Sequence, residues 1–589
     1  MLKRSAQNNT PRLERRPQIQ FAGLKFGAIA RLRAVIPSLL FAFAFCPPAL
    51  RADTTVINRT SAAERILDRT KILASDEFEG RAPGSDGEDK SVAYLIKEFQ
   101  AIGLQPGNPD GTFVQAVPLV GITSHPTLTF TIAGKPFPMT PINDYVGPTS
   151  RITPHIEVKD SEVVFVGYGV VAPEYNWDDF KNVDVRGKTV VMLVNDPPVT
   201  DAATGRLDET TFRGKAMTYY GRWTYKYDIA AERGAIACLI VHETGPAAYP
   251  FAVVVGSRSR ENFELRAPDN NASHVAMEGW LTHDAAKRLF AASGHDYEAL
   301  KKNAAQRHFR PVSLGASASF TIESELRQVD SKNVIAILPG TDPAWRNEYV
   351  IYTAHWDHLG RDSRLTGDQI FNGAADNAAG VGVLLDIAES FVALPAAEKP
   401  KRSILFLSVT AEEKGLLGSR FYARNPLYPL NKTLANINMD GANQFSPTRD
   451  VATVGFGAST LDEIGTEVAT SQGRTMTPEK HPEFGSYYRS DHFEFAKVGV
   501  PGYYAKSGTQ FIGKPAEFGE KLIQDYLAND YHKVTDEVRS DWTFEGAAQD
   551  AEFLLRVGQR VANDTEWPQW RPGNEFKARR DAMLKTASE

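Results

Sequence analysis

Acidic residues and histidines gather in the second half of the sequence, at points where apolar stretches end. The stretch EYVIYTAHWDH ends in a group of two histidines and one aspartate, and two adjacent glutamates follow the next strongly apolar stretch. A third stretch ends in an aspartate, another aspartate opens the helix-like segment between the first two, and a last histidine lies in YHKVTDE. The residues are His355, Asp357, His358, Asp376, Glu412, Glu413, Asp440 and His532. Imidazole nitrogens mixed with carboxylate oxygens favour zinc over calcium.

Five of these residues would suffice for two metal ions if one carboxylate bridges them. The five are His355, Asp376, Glu413, Asp440 and His532. Two ions about 3.5 to 4 Å apart can activate water at neutral pH, polarise a carbonyl group and stabilise a tetrahedral intermediate. Hydrolysis of a peptide bond needs all three effects. It also needs a base for the proton of the water, and Glu412 can face the same cleft as its neighbour without binding metal.

The elements around these residues predict an α/β fold. From residue 350 onwards, strand-like segments such as RSILFLSV and LANINMD alternate with helix-like segments such as NAAGVGVLLDIAESFVAL. Such alternation favours a mainly parallel mixed sheet with helices on both faces, and sites on these sheets gather at the carboxyl ends of the strands. Residues 61–99 predict a helix, a loop and a second helix, whereas several short β-rich segments follow residue 156.

Several of these segments resemble the co-catalytic dizinc aminopeptidase family, whose members include relatives of glutamate carboxypeptidase. The segments are HWDHLG, GAADNAAG, TAEEKGLLGS, NINMDG, SDHFEF and YHKVTDE, and the N-terminal LASDEFEGRAPGSDG matches as well. The resemblance implies the zinc exopeptidase fold and two Zn²⁺ ions. It implies that His355 and Asp440 hold one zinc, that Glu413 and His532 hold the other, and that Asp376 bridges them.

The resemblance also implies roles for two further residues and a division into domains. Asp357 would orient a histidine ligand, and Tyr531 would donate a hydrogen bond to the oxyanion. The β-rich middle of the chain resembles a protease-associated domain that some members insert before the metal-binding part. The expected division is listed here by residue number: 1–52 a signal peptide, 53–125 the N-terminal part of the peptidase domain, 126–315 the inserted domain, and 316–589 the metal-binding part with a C-terminal extension.

The N-terminal region predicts export from the cell. Residues 1–33 contain eight basic residues and one acidic residue, and the apolar stretch AVIPSLLFAFAFCPPAL follows them. The stretch is too short and too rich in proline for a membrane span, so we expect a signal peptide cleaved near Ala52. The mature chain would keep one of its two cysteines, Cys238, and no transmembrane span. A periplasmic or extracellular location is therefore expected.

The composition is that of a globular protein and excludes one class of partner. The chain has 589 residues, 42% hydrophobic and 23% charged, with a net charge of -6. Because Lys+Arg (66) do not exceed Asp+Glu (72) and the body has no long basic run, nucleic acid is not an expected partner.

The leading hypothesis is a secreted zinc aminopeptidase that hydrolyses peptides at the N-terminus. A carboxypeptidase, a dipeptidase or a glutaminyl cyclase on the same fold stays open, and so does a receptor-like binding module without catalysis. Cobalt or manganese would accept much the same ligands as zinc. Side-chain preference and oligomeric state cannot be inferred from these patterns.

Overall fold

The structure, a computed structural model, describes residues 61–201 and 203–586. The predicted signal peptide at residues 1–52 lies outside the described residues. None of the helices in the described part of the chain combines the length and the apolar character that a bilayer span requires.

In this part of the chain, sixteen strands form one mixed sheet, and two short hairpins lie apart from it. The strands are β1 Gln105–Pro106, β2 Val114–Ile132, β3 Lys135–Pro138, β4 Tyr145–Val146, β5 His155–Phe165, β6 Val171–Ala172, β7 Trp177–Asp178, β8 Thr189–Leu193, β9 Ala237–His242, β10 Asn262–Leu265, β11 Met277–Thr282, β12 Val312–Leu338, β13 Tyr349–His355, β14 Gly360–Arg361, β15 Ile370–Phe371, β16 Ser403–Val409, β17 Thr433–Asn438, β18 Asp450–Val454, β19 Thr475–Pro478 and β20 Gly502–Ser507.

Helices of the described chain flank this sheet. They are α1 Ala62–Leu73, α2 Asp86–Ile102, α3 Trp223–Glu232, α4 Thr244–Ala247, α5 Phe251–Arg258, α6 His283–Ala292, α7 Tyr297–Ala304, α8 Ala379–Ala393, α9 Leu417–Arg424, α10 Leu461–Ser471, α11 His492–Lys497, α12 Phe518–Asn529, α13 Glu545–Asn563 and α14 Lys577–Thr586. The helix, loop and helix expected at residues 61–99 correspond to α1 and α2.

The half of the sheet that follows residue 312 has the strand order β19-β18-β20-β17-β13-β16-β12. Strand β13 pairs in parallel with both β16 and β17, and β17 pairs in parallel with β20. Strands β13 and β16 are buried along their whole length, as expected for strands covered on both faces. The predicted fold class, a mainly parallel mixed sheet flanked by helices, is confirmed.

Alternate side chains of β13 enter two different cores. Val350, Tyr352 and Ala354 pack with α1, α8 and α13 on one face, whereas Ile351 packs with residues of α9 and α11 on the other. This alternation follows from the two-residue repeat of a strand. Strand β13 thus packs against a hydrophobic core on each face, and this packing positions its carboxyl end.

The β-rich middle of the chain has hydrophobic cores of its own. Strands β5, β8, β9, β11 and β4 continue the sheet beyond β12, and their side chains form two clusters separate from those around β13. The expected boundaries near residues 125 and 315 fall within the long strands β2 and β12. These two strands form one uninterrupted antiparallel ladder, in which residues 114–132 of β2 pair with residues 316–334 of β12. The division into a peptidase domain and an inserted domain stays a prediction.

Candidate metal centre

The carboxyl ends of three neighbouring parallel strands carry the central residues of the site. His355 is the last residue of β13, Glu413 lies four residues beyond the end of β16, and Asp440 lies two residues beyond the end of β17. Because these strands pair in parallel, their carboxyl ends lie at one edge of the sheet. Asp376 lies in the irregular turn Ala374–Ala378 that leads into α8.

The five predicted ligand residues form one cluster, with Asp376 at its centre. The Nε2 atom of His355 is 3.3 Å from Oδ1 of Asp376 and 3.6 Å from Oδ1 of Asp440. The Nε2 atom of His532 is 3.3 Å from Oδ2 of Asp376 and 3.1 Å from Oε2 of Glu413. Asp376 therefore offers one oxygen to each of two groups.

A third histidine, His358, also belongs to this cluster. Its Nδ1 atom is 2.6 Å from Oε1 of Glu413, and its ring is 5.9 Å from that of His532. The possible ligand atoms of His358, Asp376 and Glu413 lie within 4.8 Å of one another, as do those of His355, Asp376 and Asp440. His358 follows the end of β13 in the sequence, but no metal-binding role was predicted for it.

The donor atoms in this cluster fit a cation. The Nε2 atoms of His355 and His358 are buried and have no hydrogen-bond partner among the described residues. Buried polar atoms without partners are rare unless a ligand or ion satisfies them. Two buried histidine nitrogens beside carboxylate oxygens form the mixed nitrogen and oxygen set that suits zinc.

The electrostatics of the cluster favour positive charge. Burial opposes ionisation of Asp376, but the imidazole groups of His355 and His532, each 3.3 Å away, hold the pKa of this carboxyl well below its usual range. Burial alone would lower the pKa of His532, yet the charge of Glu413 and hydrogen bonds to Asp376 and Glu413 raise it to about 10. Ionised carboxylates at this density require cations between them.

Asp357 fixes the turn that carries the two glutamates. Its buried carboxylate accepts hydrogen bonds from the backbone N–H groups of Glu412 (3.0 Å) and Glu413 (3.4 Å). Burial raises the pKa of Asp357 to about 7. Its contact with His355 is closer through the main chain, at 3.1 Å from Nδ1 to the carbonyl oxygen, than through the carboxylate at 3.8 Å. The orienting role expected for Asp357 stays a prediction.

Two buried residues that were not assigned roles from the sequence hold the surrounding loops. Arg81 donates to the carbonyl oxygens of Leu73, Trp356, Asn372 and Gly373 at 2.6 to 2.9 Å. Asp536 accepts hydrogen bonds from the backbone N–H groups of Ala375 (2.9 Å) and Asp376 (3.1 Å). Both lie in motifs quoted above, EGRAPG and YHKVTDE, but neither motif indicates which distant loop its residue contacts.

The cluster opens into a cavity of about 1530 Å³. Glu412 and Tyr531 line it together with Glu413 and His532. Burial raises the pKa of Glu412 well above its ordinary value, although the charge of His355 opposes this. The ring of Tyr531 stacks on that of His532 with 3.9 Å between centroids. The two predicted catalytic side chains therefore face the same space as the predicted ligands.

His492, in the motif SDHFEF, lies outside the cluster. It is fully buried between the rings of Tyr487 and Tyr504, and neither of its ring nitrogens has a hydrogen-bond partner among the described residues. Burial lowers its pKa to about 3. A neutral imidazole packed between aromatic rings is a core residue in this position.

Comparison with known proteins identifies the class of this site. Residues 333–554, which contain every residue of the cluster, match the model of peptidase family M28. The resemblance to the co-catalytic dizinc family is confirmed for this part of the chain. The aminopeptidase NAALADL1 of Mus musculus is 35% identical over 130 residues, and that of Rattus norvegicus is 34% identical over 130 residues. These matches cover 21% of this chain and 16% of each relative.

Solved structures with a similar chain course include bacterial aminopeptidases. The aminopeptidase from Aneurinibacillus sp. strain AM-1 is 19% identical, with a TM-score of 0.47 and coverage of 88% of this chain and 95% of that chain. The zinc aminopeptidase BSAP from Bacillus subtilis is 17% identical, with a TM-score of 0.40 and coverage of 86% and 95%. The match to peptidase family M28 covers residues 333–554.

Proposed function

We propose that this protein is a zinc-dependent aminopeptidase that removes N-terminal residues from peptides. The central position of Asp376, with one oxygen toward His355 and the other toward His532, carries this proposal. His355 and Asp440 would hold one zinc ion, and Glu413 and His532 would hold the second. Asp376 would bind both ions. Bound zinc ions would supply water activation and polarisation of the scissile carbonyl. The same donors would accept cobalt or manganese.

Glu412 is the residue proposed to accept the proton of the attacking water and to return it to the leaving amine. A raised pKa suits a group that must both accept and release a proton near neutral pH. Asp357 supports this role, because the N–H of Glu412 is bound to its carboxylate. Tyr531 would donate its hydroxyl hydrogen to the oxygen of the scissile carbonyl as negative charge develops there.

The complete cluster favours a hydrolase over the other readings. A glutaminyl cyclase would need a single zinc, and a receptor-like module would need no ligand set. Carboxypeptidase or dipeptidase action would use the same centre, and the choice between them depends on how the cavity holds the ends of the peptide.

The proposal also includes export after removal of residues 1–52 and a protease-associated domain at residues 126–315. Residues of this middle segment, including Arg222 and Tyr249, line the cavity and support a substrate-sizing role for it.

Metal analysis and hydrolysis of defined peptides test the proposal in one preparation. We expect about two zinc ions per chain, release of the first residue from peptides with a free amine, and loss of release with chelator. N-blocked peptides should stay intact. Protein that carries no metal and cleaves none of the peptides would contradict the proposal, whereas cleavage of N-blocked peptides from the C-terminus would favour a carboxypeptidase.

Three variants assign the roles. Glu412→Gln should keep both metal ions and lower kcat by about 10²- to 10⁴-fold, whereas His532→Ala should lose metal at one site. Glu537→Gln is the matched control, because this exposed glutamate lines the same cavity without joining the cluster. Wild-type turnover in Glu412→Gln would contradict its assignment as the base.

A further inference from the structure

Two arginines of the cleft have no carboxylate partner. Six arginines line the cavity, and four of them pair with a carboxylate group within the described chain. The paired ones are Arg258 with Glu278, Arg260 with Asp362, Arg420 with Glu264, and Arg539 with Asp530. Arg222 and Arg489 form no ion pair with any described residue.

Arg222 is a buried charge next to another positive charge. Only 7% of the residue is exposed, and its Nε atom has no hydrogen-bond partner in the described part of the protein. Burial and, to a lesser extent, the charge of Arg489 lower its pKa to about 9. A buried guanidinium group is costly unless an anion pairs with it.

Arg489 is oriented toward the same space by weak contacts. Its Nη2 atom donates to the carbonyl oxygen of Ala247 at 3.3 Å, and its guanidinium group lies over the ring of Tyr249 at 5.3 Å. Its Nε atom is buried and has no hydrogen-bond partner among the residues that the structure describes. These contacts leave most of its five N–H donors unused. The pair therefore offers two forks of the kind that bind carboxylate groups in bidentate fashion.

The pair lies beside the proposed catalytic centre. Arg222 and Arg489 line the same cavity as Tyr531, whose ring stacks on that of His532. Arg222 stands at the N-terminus of α3, and the first residues of this helix line the cavity as well. The positive end of a helix dipole adds to the attraction for an anion.

The two arginines come from segments that are distant in sequence, residues 213–222 and 482–489, and several contacts hold these segments together. The backbone N–H of Met217 donates to the carbonyl oxygen of Pro482 at 3.0 Å, and Lys215 pairs with Glu483 at 3.0 Å. The carboxylate of Glu575 accepts from both Arg213 (3.1 Å) and the hydroxyl of Tyr488 (3.0 Å). A site held in place before the ligand arrives loses little entropy on binding.

We infer that Arg222 and Arg489 form a carboxylate-binding subsite of the cleft, and that the substrates are short peptides whose carboxylate reaches this pair. The inference rests on the function proposed above. The carboxylate is either the C-terminal group of a dipeptide or an acidic side chain of the second residue. In both cases the negative charge lies on the residue that follows the cleaved peptide bond, next to the N-terminal residue that the enzyme releases.

Three substrates of the zinc-loaded enzyme distinguish these sources. They are the dipeptide X-Gly, its amide X-Gly-NH₂ and the amide X-Glu-NH₂. Here X is the N-terminal residue that the enzyme releases fastest from the free-amine peptides used to test the proposed function. We expect kcat/KM for X-Gly or X-Glu-NH₂ to exceed that for X-Gly-NH₂ by about 10- to 100-fold, as for a charged hydrogen-bonded pair. A preference for X-Gly assigns the C-terminal carboxylate, and a preference for X-Glu-NH₂ assigns the side chain. Values within about twofold for all three would overturn the inference.

Substitutions connect the preference to the two arginines. In Arg489→Gln and Arg222→Gln the preference should fall below about threefold, mainly through KM. Arg489→Lys keeps the charge but loses the fork, so it should retain part of the preference. Arg260→Gln is the control, because Asp362 keeps its second partner Arg364 at 2.9 Å, and it should retain the full preference. A preference that survives both glutamine substitutions would contradict the assignment.

A binding measurement separates this inference from the proposed activity. Zinc-loaded Glu412→Gln protein should bind Gly-Gly at least about tenfold more tightly than Gly-Gly-NH₂ by calorimetry, and Arg489→Gln in this background should remove the difference. Carboxylate-dependent binding without any hydrolysis by the wild type would support the subsite and reject the aminopeptidase. Hydrolysis without carboxylate preference in kinetics or binding would reject the subsite and keep the aminopeptidase.

Discussion

Arg81 offers the sharpest test of how the structure supports the metal centre. Its guanidinium group is fully buried and makes four hydrogen bonds to the carbonyl oxygens of Leu73, Trp356, Asn372 and Gly373. Trp356 follows the last residue of β13, and Gly373 precedes the turn that carries Asp376. One side chain thus holds two loops from which predicted ligands project.

The magnitude follows from these contacts. Four hydrogen bonds from a charged donor at about 1.5 kcal/mol each would contribute about 6 kcal/mol. Burial opposes this: it lowers the pKa of Arg81 from its ordinary value to about 10, and this lowering corresponds to about 3 kcal/mol. We therefore expect Arg81→Met to lower the free energy of unfolding by about 3 kcal/mol.

Thermal unfolding with and without zinc is the assay. For cooperative unfolding of a chain this long, about 3 kcal/mol corresponds to a fall of about 3 °C in Tm. The control is Arg186→Met, because Arg186 is exposed and its one ion pair within the described chain is with Asp184. The Tm of this variant should differ from that of the wild type by less than about 0.5 °C. Zinc should also bind more weakly to Arg81→Met. A Tm within 1 °C of wild type, together with full metal content, would refute the reasoning.

Three further substitutions probe other parts of the structure. Burial lowers the pKa of His481, but hydrogen bonds to Glu520 and a second glutamate outweigh this and raise it. Its stabilising contribution is therefore complete below the unfolded pKa of about 6.5 and is lost as the pH rises through the higher folded value. The Tm difference between wild type and His481→Gln should therefore shrink as the pH is raised above neutral; a constant difference would contradict this. Glu575→Gln breaks the bridge between the segments that carry the two unpaired arginines, so it should raise KM for carboxylate substrates while costing only about 0.5 to 1 kcal/mol of stability, and an unchanged KM would argue against that link. Gly558→Ala places a Cβ atom 1.8 Å from the hydroxyl oxygen of buried Tyr352 and should cost about 1 to 3 kcal/mol, part of which Tyr352→Phe should restore in the double variant; no recovery would locate the strain elsewhere.

The strand ends were the most predictable part of the site. Apolar runs of strand length that end in His355, in Glu412 and Glu413, and in Asp440 predict neighbouring parallel strands, and parallel strands bring their carboxyl ends together. The structure brings three of these residues, His355, Glu413 and Asp440, into one cluster with Asp376, His358 and His532. That convergence is geometry; the role of each residue as a metal ligand stays a prediction that metal analysis of the variants tests.

The supporting contacts were not predictable in the same way. Arg81 is 275 residues away from Trp356 in sequence, and it binds main-chain carbonyl oxygens, which every residue possesses. A side chain that binds the main chain does not require a particular residue type in its partner, so the partner segment cannot be identified from the sequence. The same holds for Asp536, which accepts from the N–H groups of Ala375 and Asp376. Periodicity predicts which elements exist, but it carries no information about such long-range contacts.

The metal centre and the cleft arginines therefore depend on different parts of the chain. The predicted ligands project from strand ends and turns within residues 333–554, whereas Arg222 comes from the β-rich middle and its partner Arg489 from the loop before α11. Substitutions in the segment 213–222 should then change which peptides are cleaved and leave the zinc content unchanged. If Arg222 and Arg489 bind the substrate as inferred, two chains with the same metal motifs can differ in substrate, because the middle of the chain then contributes to the choice of peptide.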